Sequence, residues 1–189
     1  MSVSRERLNK ILEKIQSPAF LANKGLGNEI GFYIFDYDPS DELLVREHIA
    51  YLKRTLNSEQ SSQKVIEFDL YEMILDLLRR EGVLEELAQM EEEQGSTYLA
   101  EALQDIASPE VYVELIADQA EGSDIVFLTG VGKVWPMVRS HNILNNLHHV
   151  LDKVPVIMFF PGNYDGAELK LFNKLKDDNY YRAFRLIEK

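Results

Sequence analysis

The chain has 189 residues, 46% of them hydrophobic and 28% charged, which fits one globular domain and excludes extensive disorder. It contains no cysteine, so disulfides, zinc–thiolate sites and thiol catalysis are excluded. The formal net charge of −12 disfavours direct nucleic-acid binding, because that binding depends mainly on Lys and Arg side chains that neutralise phosphates. We interpret the acidity as a solvated surface.

Hydrophobic periodicity predicts the secondary structure in chain order. Leu8, Ile11 and Ile15 have helical spacing and predict a first helix over residues 5–16. Short runs of aromatic and β-branched residues, such as Gly31–Tyr37, predict buried strands. The predicted strands cover residues 31–37, 64–68, 124–129, 154–160 and 181–187. Further helices outside the middle of the chain are predicted over residues 41–56, 137–151 and 169–175.

The middle of the chain shows only helical patterns. Helical segments are predicted there over residues 70–80, 83–93, 97–106 and 109–120. On either side, strands alternate with helices, an order typical of a parallel sheet covered by helices on both faces. The sequence therefore predicts one α/β domain over residues 1–189. It has a mostly parallel five-stranded sheet, a Rossmann-like or P-loop-like topology without an intact nucleotide loop, and a helical insertion around 70–120.

The location of the protein in the cell is predicted from two observations on its apolar residues. The first fourteen residues are basic and polar and lack the apolar segment of a secretory signal. The longest apolar run, Val154–Phe160, is much shorter than the ~20 residues that span a bilayer. We therefore predict a cytoplasmic protein.

One segment, Gly130–Lys133, resembles a phosphate-binding loop but lacks two of its parts. A Walker A loop needs Gly where this chain has Phe127, and Ser or Thr where it has Val134. We interpret the segment as a strand-to-helix turn in which glycine supplies a positive φ. A degenerate phosphate loop that binds a nucleotide or another small ligand stays open as an alternative.

Asp36 and Asp38 follow the first predicted strand. Their carboxylates would repel phosphate and are suited either to Mg²⁺ or to capping the next helix, and we favour capping. The histidines do not form an H-E-x-x-H pattern, and no G-x-S-x-G elbow is present. We therefore predict no catalytic residue, no metal, no cofactor and no enzymatic activity.

A partner-binding face is predicted where the sheet's strands end. Sites in such sheets lie at the carboxyl ends of the strands, and Trp, Arg and Tyr are enriched at interface hot spots. The polarity of these residues suits a satisfied polar network equally well. The predicted face comprises Asp36, Asp38, Trp135, Arg139, His141, Asn142, Tyr164, Asp165, Tyr181 and Arg182.

Five strings together resemble one family over nearly the whole chain. They are KGLGNEIGFYIFDYDPSDELLVRE (Lys24–Glu47), VIEFDLYEMIL (Val65–Leu75), FLTGVGKVWPMVRSHNILNNL (Phe127–Leu147), VPVIMFFPGNYDGAELKLF (Val154–Phe172) and DDNYYRAFRL (Asp177–Leu186). The chain is similar to the BrxB family, the small conserved component of BREX bacteriophage-defence systems.

This resemblance implies a role in a system that blocks phage replication and marks host DNA by methylation. The family has no established catalytic residues, and other BREX proteins supply the methyltransferase, the ATPases and the phosphatase-like PglZ. We therefore predict a non-catalytic adaptor that binds other BREX proteins, with PglZ as the first partner to test. A nucleotide or small-ligand binder is the alternative, and nucleic-acid binding is less favoured because of the charge.

Overall fold

The computed structural model of the chain describes residues 3–22, 31–151, 154–176 and 183–189, without the side chain of His141. In these ranges the helices are α1 Val3–Asn9, α2 Ile11–Ile15, α3 Pro18–Leu21, α4 Glu42–Leu56, α5 Leu70–Arg80, α6 Leu87–Gln94, α7 Ser96–Ile106, α8 Pro109–Ala120, α9 Val131–Val134 and α10 Ser140–Leu147. The strands are β1 Phe32–Tyr37, β2 Val65–Asp69, β3 Ile125–Thr129, β4 Val156–Tyr164, β5 Leu169–Leu171, β6 Leu175–Lys176 and β7 Phe184–Arg185.

The central sheet has the strand order β2-β3-β4-β1-β7, and each neighbouring pair along it is parallel. The C-terminal residues of β4, Gly162–Tyr164, extend beyond the parallel sheet and pair antiparallel with β5. β5 in turn pairs antiparallel with β6. The α/β class is therefore confirmed, but the sheet is mixed and has seven strands within the described ranges, not five. Its order is not the 3-2-1-4-5-6 order of the dinucleotide-binding fold, so the Rossmann-like topology is not confirmed.

The helix predicted over residues 169–175 is wrong, because this segment is the β5–β6 hairpin. Leu169 and Leu171 are buried and Lys170 between them is exposed, which is the alternation of a strand. Phe172 and Asn173 then take φ of 53° and 60°, a left-handed turn that ends β5.

Two hydrophobic layers cover the sheet, one on each face. Alternate residues of β1 divide between them: Phe32 and Ile34 belong to one layer, Tyr33 and Phe35 to the other. Helices α5, α7, α8, α9 and α10 supply the first layer, whereas α1, α2, α3 and α4 supply the second. Helices on both faces are therefore confirmed, and the helical insertion lies on the face opposite α4, a placement that the sequence pattern does not give.

Among the described residues, the helices are too short or too polar to cross a membrane.

Candidate partner-binding site

Asp36 lies in a buried ion cluster at the end of β1. Its side chain is 1% exposed, and its Oδ1 accepts a hydrogen bond from Nη2 of Arg7 at 2.8 Å. Its Oδ2 accepts from the backbone N–H of Tyr164 at 3.0 Å and lies 3.2 Å from Nζ of Lys189 and 3.5 Å from Nη1 of Arg185. Asp36 therefore belongs to a buried polar network, the alternative that the sequence left open.

The cluster fixes the ionisation of Asp36. Burial by itself raises the pKa of this carboxyl, but the Tyr164 amide and the charges of Arg7 and Lys189 outweigh it and hold the pKa below its ordinary value. Arg7 also donates to the carbonyls of Asp36 at 2.6 Å and Ile187 at 3.1 Å, so its guanidinium joins three segments of the chain.

Three other residues of the predicted face have local structural roles. Tyr164 is fully buried, and its hydroxyl donates to the carbonyl of Ala183 at 2.7 Å. Asp38 caps a short 3₁₀ turn by accepting from the N–H of Ser40 at 2.9 Å. Asp165 accepts from the N–H of Glu168 at 2.8 Å in the turn after β4. The capping favoured for Asp38 is therefore present, whereas the capping favoured for Asp36 is wrong, because its carboxylate pairs with Arg7 in the buried cluster.

The Gly130–Lys133 turn binds a carboxylate of the chain itself. Nζ of Lys133 pairs with Oδ2 of Asp69 and lies 3.9 Å from Oε1 of Glu72. Gly130 has φ of 73°, and a Cβ there would lie 2.2 Å from Oδ1 of Asp69. The cation of this turn is thus already neutralised by an anion, which weakens the case for phosphate binding.

A small cavity of about 200 Å³ opens next to this turn, at the carboxyl ends of β1, β2 and β3. Two cations that line this cavity form salt bridges with carboxylates that also line it, Lys53 with Glu67 at 2.5 Å and Arg46 with Glu42 at 2.7 Å. The described residues do not bring three His, Asp or Glu side chains together in a way that could hold a metal ion.

A depression near the predicted face lies between the α9–α10 connection and the β5–β6 hairpin. We call it the Trp135 groove, and its volume is about 330 Å³. Trp135 is 43% exposed and Leu175 is 38% exposed, and both line the groove. Its other lining residues are Val131, Val138, Arg139, Ser140, Phe160, Leu169, Leu171, Lys174 and Lys176.

The turn of the hairpin packs closely against α9. A Cβ at Gly132 would lie 2.9 Å from the ring of Phe172, so only glycine lets the two elements approach this closely. The N–H of Phe172 donates to the carbonyl of Pro161 at 2.8 Å, which ties the hairpin turn to β4. On the other side, Nε2 of Gln104 in α7 donates to the carbonyl of Pro136 at 3.4 Å.

The structure thus brings Trp135 and Arg139 together in one groove and places Asp36 and Tyr164 in a separate buried network. Asn142 lies partly buried on α10, where its carbonyl accepts from Asn146. The side chain of His141, and all of Tyr181 and Arg182, lie outside the described residues. Sequence reasoning missed Lys174, Leu175 and Lys176, because the Leu–Lys–Leu alternation of β5 is too short a signal to decide between a strand and a helix.

Known proteins resemble the chain over most of its length. A family model described as BREX protein BrxB matches residues 66–186. A BREX protein BrxB of Bacillus cereus (strain H3081.97) is 55% identical over 188 residues, 97% of this chain and 97% of that protein.

A BREX protein BrxB of Escherichia coli O9:H4 (strain HS) is 38% identical over 183 residues, 96% of this chain and 90% of that protein. No solved structure matches the chain significantly. These findings confirm the resemblance that the sequence strings indicate. The chain belongs to the BrxB family of BREX proteins.

Proposed function

We propose that this BREX protein is a non-catalytic adaptor subunit that works in phage defence by binding other BREX proteins, first among them the PglZ-type component. One observation carries the proposal. Trp135 and Leu175, two of the six large hydrophobic side chains exposed among the described residues, line the same groove. Trp and Arg are the residue types enriched at interface hot spots, and Trp135 and Arg139 both line this groove.

The competing functions have less support. The Lys133 cation that would hold a phosphate is paired with Asp69, so a nucleotide would first have to displace a carboxylate. Nucleic acid would meet a chain of net charge −12. Adaptor function needs neither site, and the Trp135 groove combines apolar and polar side chains as protein interfaces do.

The test is size-exclusion chromatography with light scattering of the chain mixed with the PglZ-type protein of the same system, each at micromolar concentration. The proposal expects a complex of fixed stoichiometry that elutes ahead of both components. Each protein run alone, and the chain mixed with an unrelated acidic protein, are the controls. If the PglZ-type protein elutes independently, the same run is made with each other BREX protein of the system, and the adaptor proposal is wrong if none of them co-elutes with the chain.

A further inference from the structure

The charge of the Trp135 groove is opposite to that of the chain. Three of its lining residues are cations, Arg139, Lys174 and Lys176, and none is acidic. All three are exposed, and Lys176 lies 3.1 Å from Glu168, a carboxylate outside the lining. A net charge of −12 therefore coexists with a basic depression, which attracts an acidic ligand by local complementarity.

The charges of the chain are segregated along its sequence. Residues 81–124 contain thirteen acidic residues and no Lys or Arg. The remaining residues contain 19 acidic and 20 basic residues, so nearly all the net charge comes from this one stretch. The residues that line the groove all belong to the nearly neutral remainder of the sequence.

The floor of the groove selects for an apolar group. Val138, Phe160 and Leu169 are buried side chains of the hydrophobic layer, and they line the groove beneath Trp135. A volume of about 330 Å³ lies at the lower end of the roughly 300–1,000 Å³ typical of ligand pockets, and an aliphatic or aromatic side chain or two would fill it.

We infer that the Trp135 groove binds an acidic peptide segment of a partner protein, with a Leu- or Phe-type side chain inserted on the apolar floor and Asp or Glu side chains against Arg139, Lys174 and Lys176. The inference rests on the proposed adaptor function and adds the site and the chemistry of the partner. Nucleic acid fits less well, because the acidic helices of residues 81–124 repel its phosphates.

The experiment expresses the tagged full-length chain together with the other proteins of its own BREX system. Leu175→Ser removes the apolar contact, and Arg139→Glu with Lys174→Glu reverses the charge. Leu43→Ser and Arg54→Glu are matched controls, because both residues are exposed on α4 at the opposite face of the sheet. Circular dichroism and thermal melting verify that each variant is folded.

We expect the groove variants to weaken the affinity for the captured BREX protein by at least about tenfold, and the α4 controls to leave it unchanged. Trp135 is the chain's single tryptophan, so its fluorescence should shift to shorter wavelength when the partner covers the groove. A photo-cross-linking residue at position 175 should join to a partner segment that contains both acidic and large apolar residues.

The outcomes separate the two proposals. If wild type captures a BREX protein and the groove variants capture it equally well, the groove inference is wrong and the adaptor function stands. If wild type captures no BREX protein, the adaptor function fails and the inference fails with it. A cross-link to a second copy of this chain, or to nucleic acid, would also overturn the inference and would identify the true occupant.

Discussion

Asp36 holds together segments that lie far apart in the sequence. Its carboxylate and backbone carbonyl bind Arg7 of α1, and its Oδ2 also meets the amide of Tyr164 at the end of β4 and the side chains of Arg185 and Lys189. Removing one partner of a buried pair leaves the other charge uncompensated, which is more destabilising than the pair is stabilising.

We expect Asp36→Asn to lower the free energy of unfolding by about 3–5 kcal/mol, because the Arg7 guanidinium would remain buried without its counter-charge. Urea denaturation at neutral pH measures this. Asp76→Asn is the control, since Asp76 pairs with Arg79 on the exposed surface of α5 and its loss should change stability by at most about 0.5 kcal/mol. Equal effects of the two substitutions would contradict the role given to Asp36.

The same carboxyl predicts a pH dependence. Its pKa in the folded protein is lower than the ordinary value of 3.8, so its stabilising effect is complete above that pH and is lost as the pH falls through the folded pKa. The difference in unfolding free energy between wild type and Asp36→Asn should therefore stay constant from about pH 5 to about pH 8 and shrink below about pH 4. A difference that grows toward acid pH would contradict this sign.

At the scale of elements, the parallel strands follow from local sequence and the hairpin does not. β1, β2 and β3 lie within one or two residues of their predicted bounds, because short aromatic and β-branched runs suit only a buried strand. In 169–175 the Leu positions fit helical spacing as well as strand alternation. The pairing of Gly162–Tyr164 with β5, a tertiary contact, decides between them.

The residues of the Trp135 groove were likewise predictable only where local sequence signals mark them. Trp135 and Arg139 could be identified because their residue types and their position after β3 are local signals. Lys174 and Leu175 reach the groove only through the hairpin, so a helical prediction hid them. Likewise, no spacing rule relates Arg7 to Asp36, 29 residues apart, and the buried role of Asp36 required the structure.

The turn between β3 and α9 carries a prediction of its own. Gly130 and Gly82 have the same φ of 73°, but only at Gly130 does an added Cβ meet an atom, Oδ1 of Asp69. Gly82→Ala should therefore cost about 1–2 kcal/mol for the left-handed backbone, and Gly130→Ala distinctly more. Urea denaturation compares the two.

Asp69→Ala tests the cause of that difference. In the Asp69→Ala background Gly130→Ala should cost less than it does in wild type, since the obstructing carboxylate is gone, although the backbone N of Leu70 would still lie 3.2 Å from the added Cβ. A double-mutant cycle measures the coupling. Additive effects of the two substitutions would show that the Asp69 contact is not what makes Gly130 necessary.

At the scale of the whole molecule, nearly all of the net negative charge comes from one stretch of the chain. The acidic stretch 81–124 includes α6, α7 and α8, and α7 and α8 pack on the same face of the sheet as the floor of the Trp135 groove. The molecule therefore presents an acidic helical surface and, in the same layer, a small basic depression. This arrangement favours binding of partners whose charges are patterned and disfavours uniform polyanions.

We accordingly expect that up to about 10 µM protein does not bind duplex DNA at about 150 mM salt. Under such conditions non-specific DNA-binding proteins have dissociation constants of roughly 1–100 µM. An electrophoretic mobility shift measures this, with a basic DNA-binding protein as positive control. Retention that falls steeply with added salt would contradict the expectation and would return nucleic acid to consideration.

The wall of the groove that the hairpin forms is attached by a short ladder. β5 pairs with β4 through three residues and β6 with β5 through two, whereas β1 pairs with β4 through six. A segment held by few pairs opens locally without unfolding the sheet. Backbone amides of 169–176 should therefore exchange hydrogen for deuterium faster than those of 156–160, and equal rates would contradict this. A bound partner should slow the exchange, so the mobility of this wall reports occupancy of the groove without any substitution.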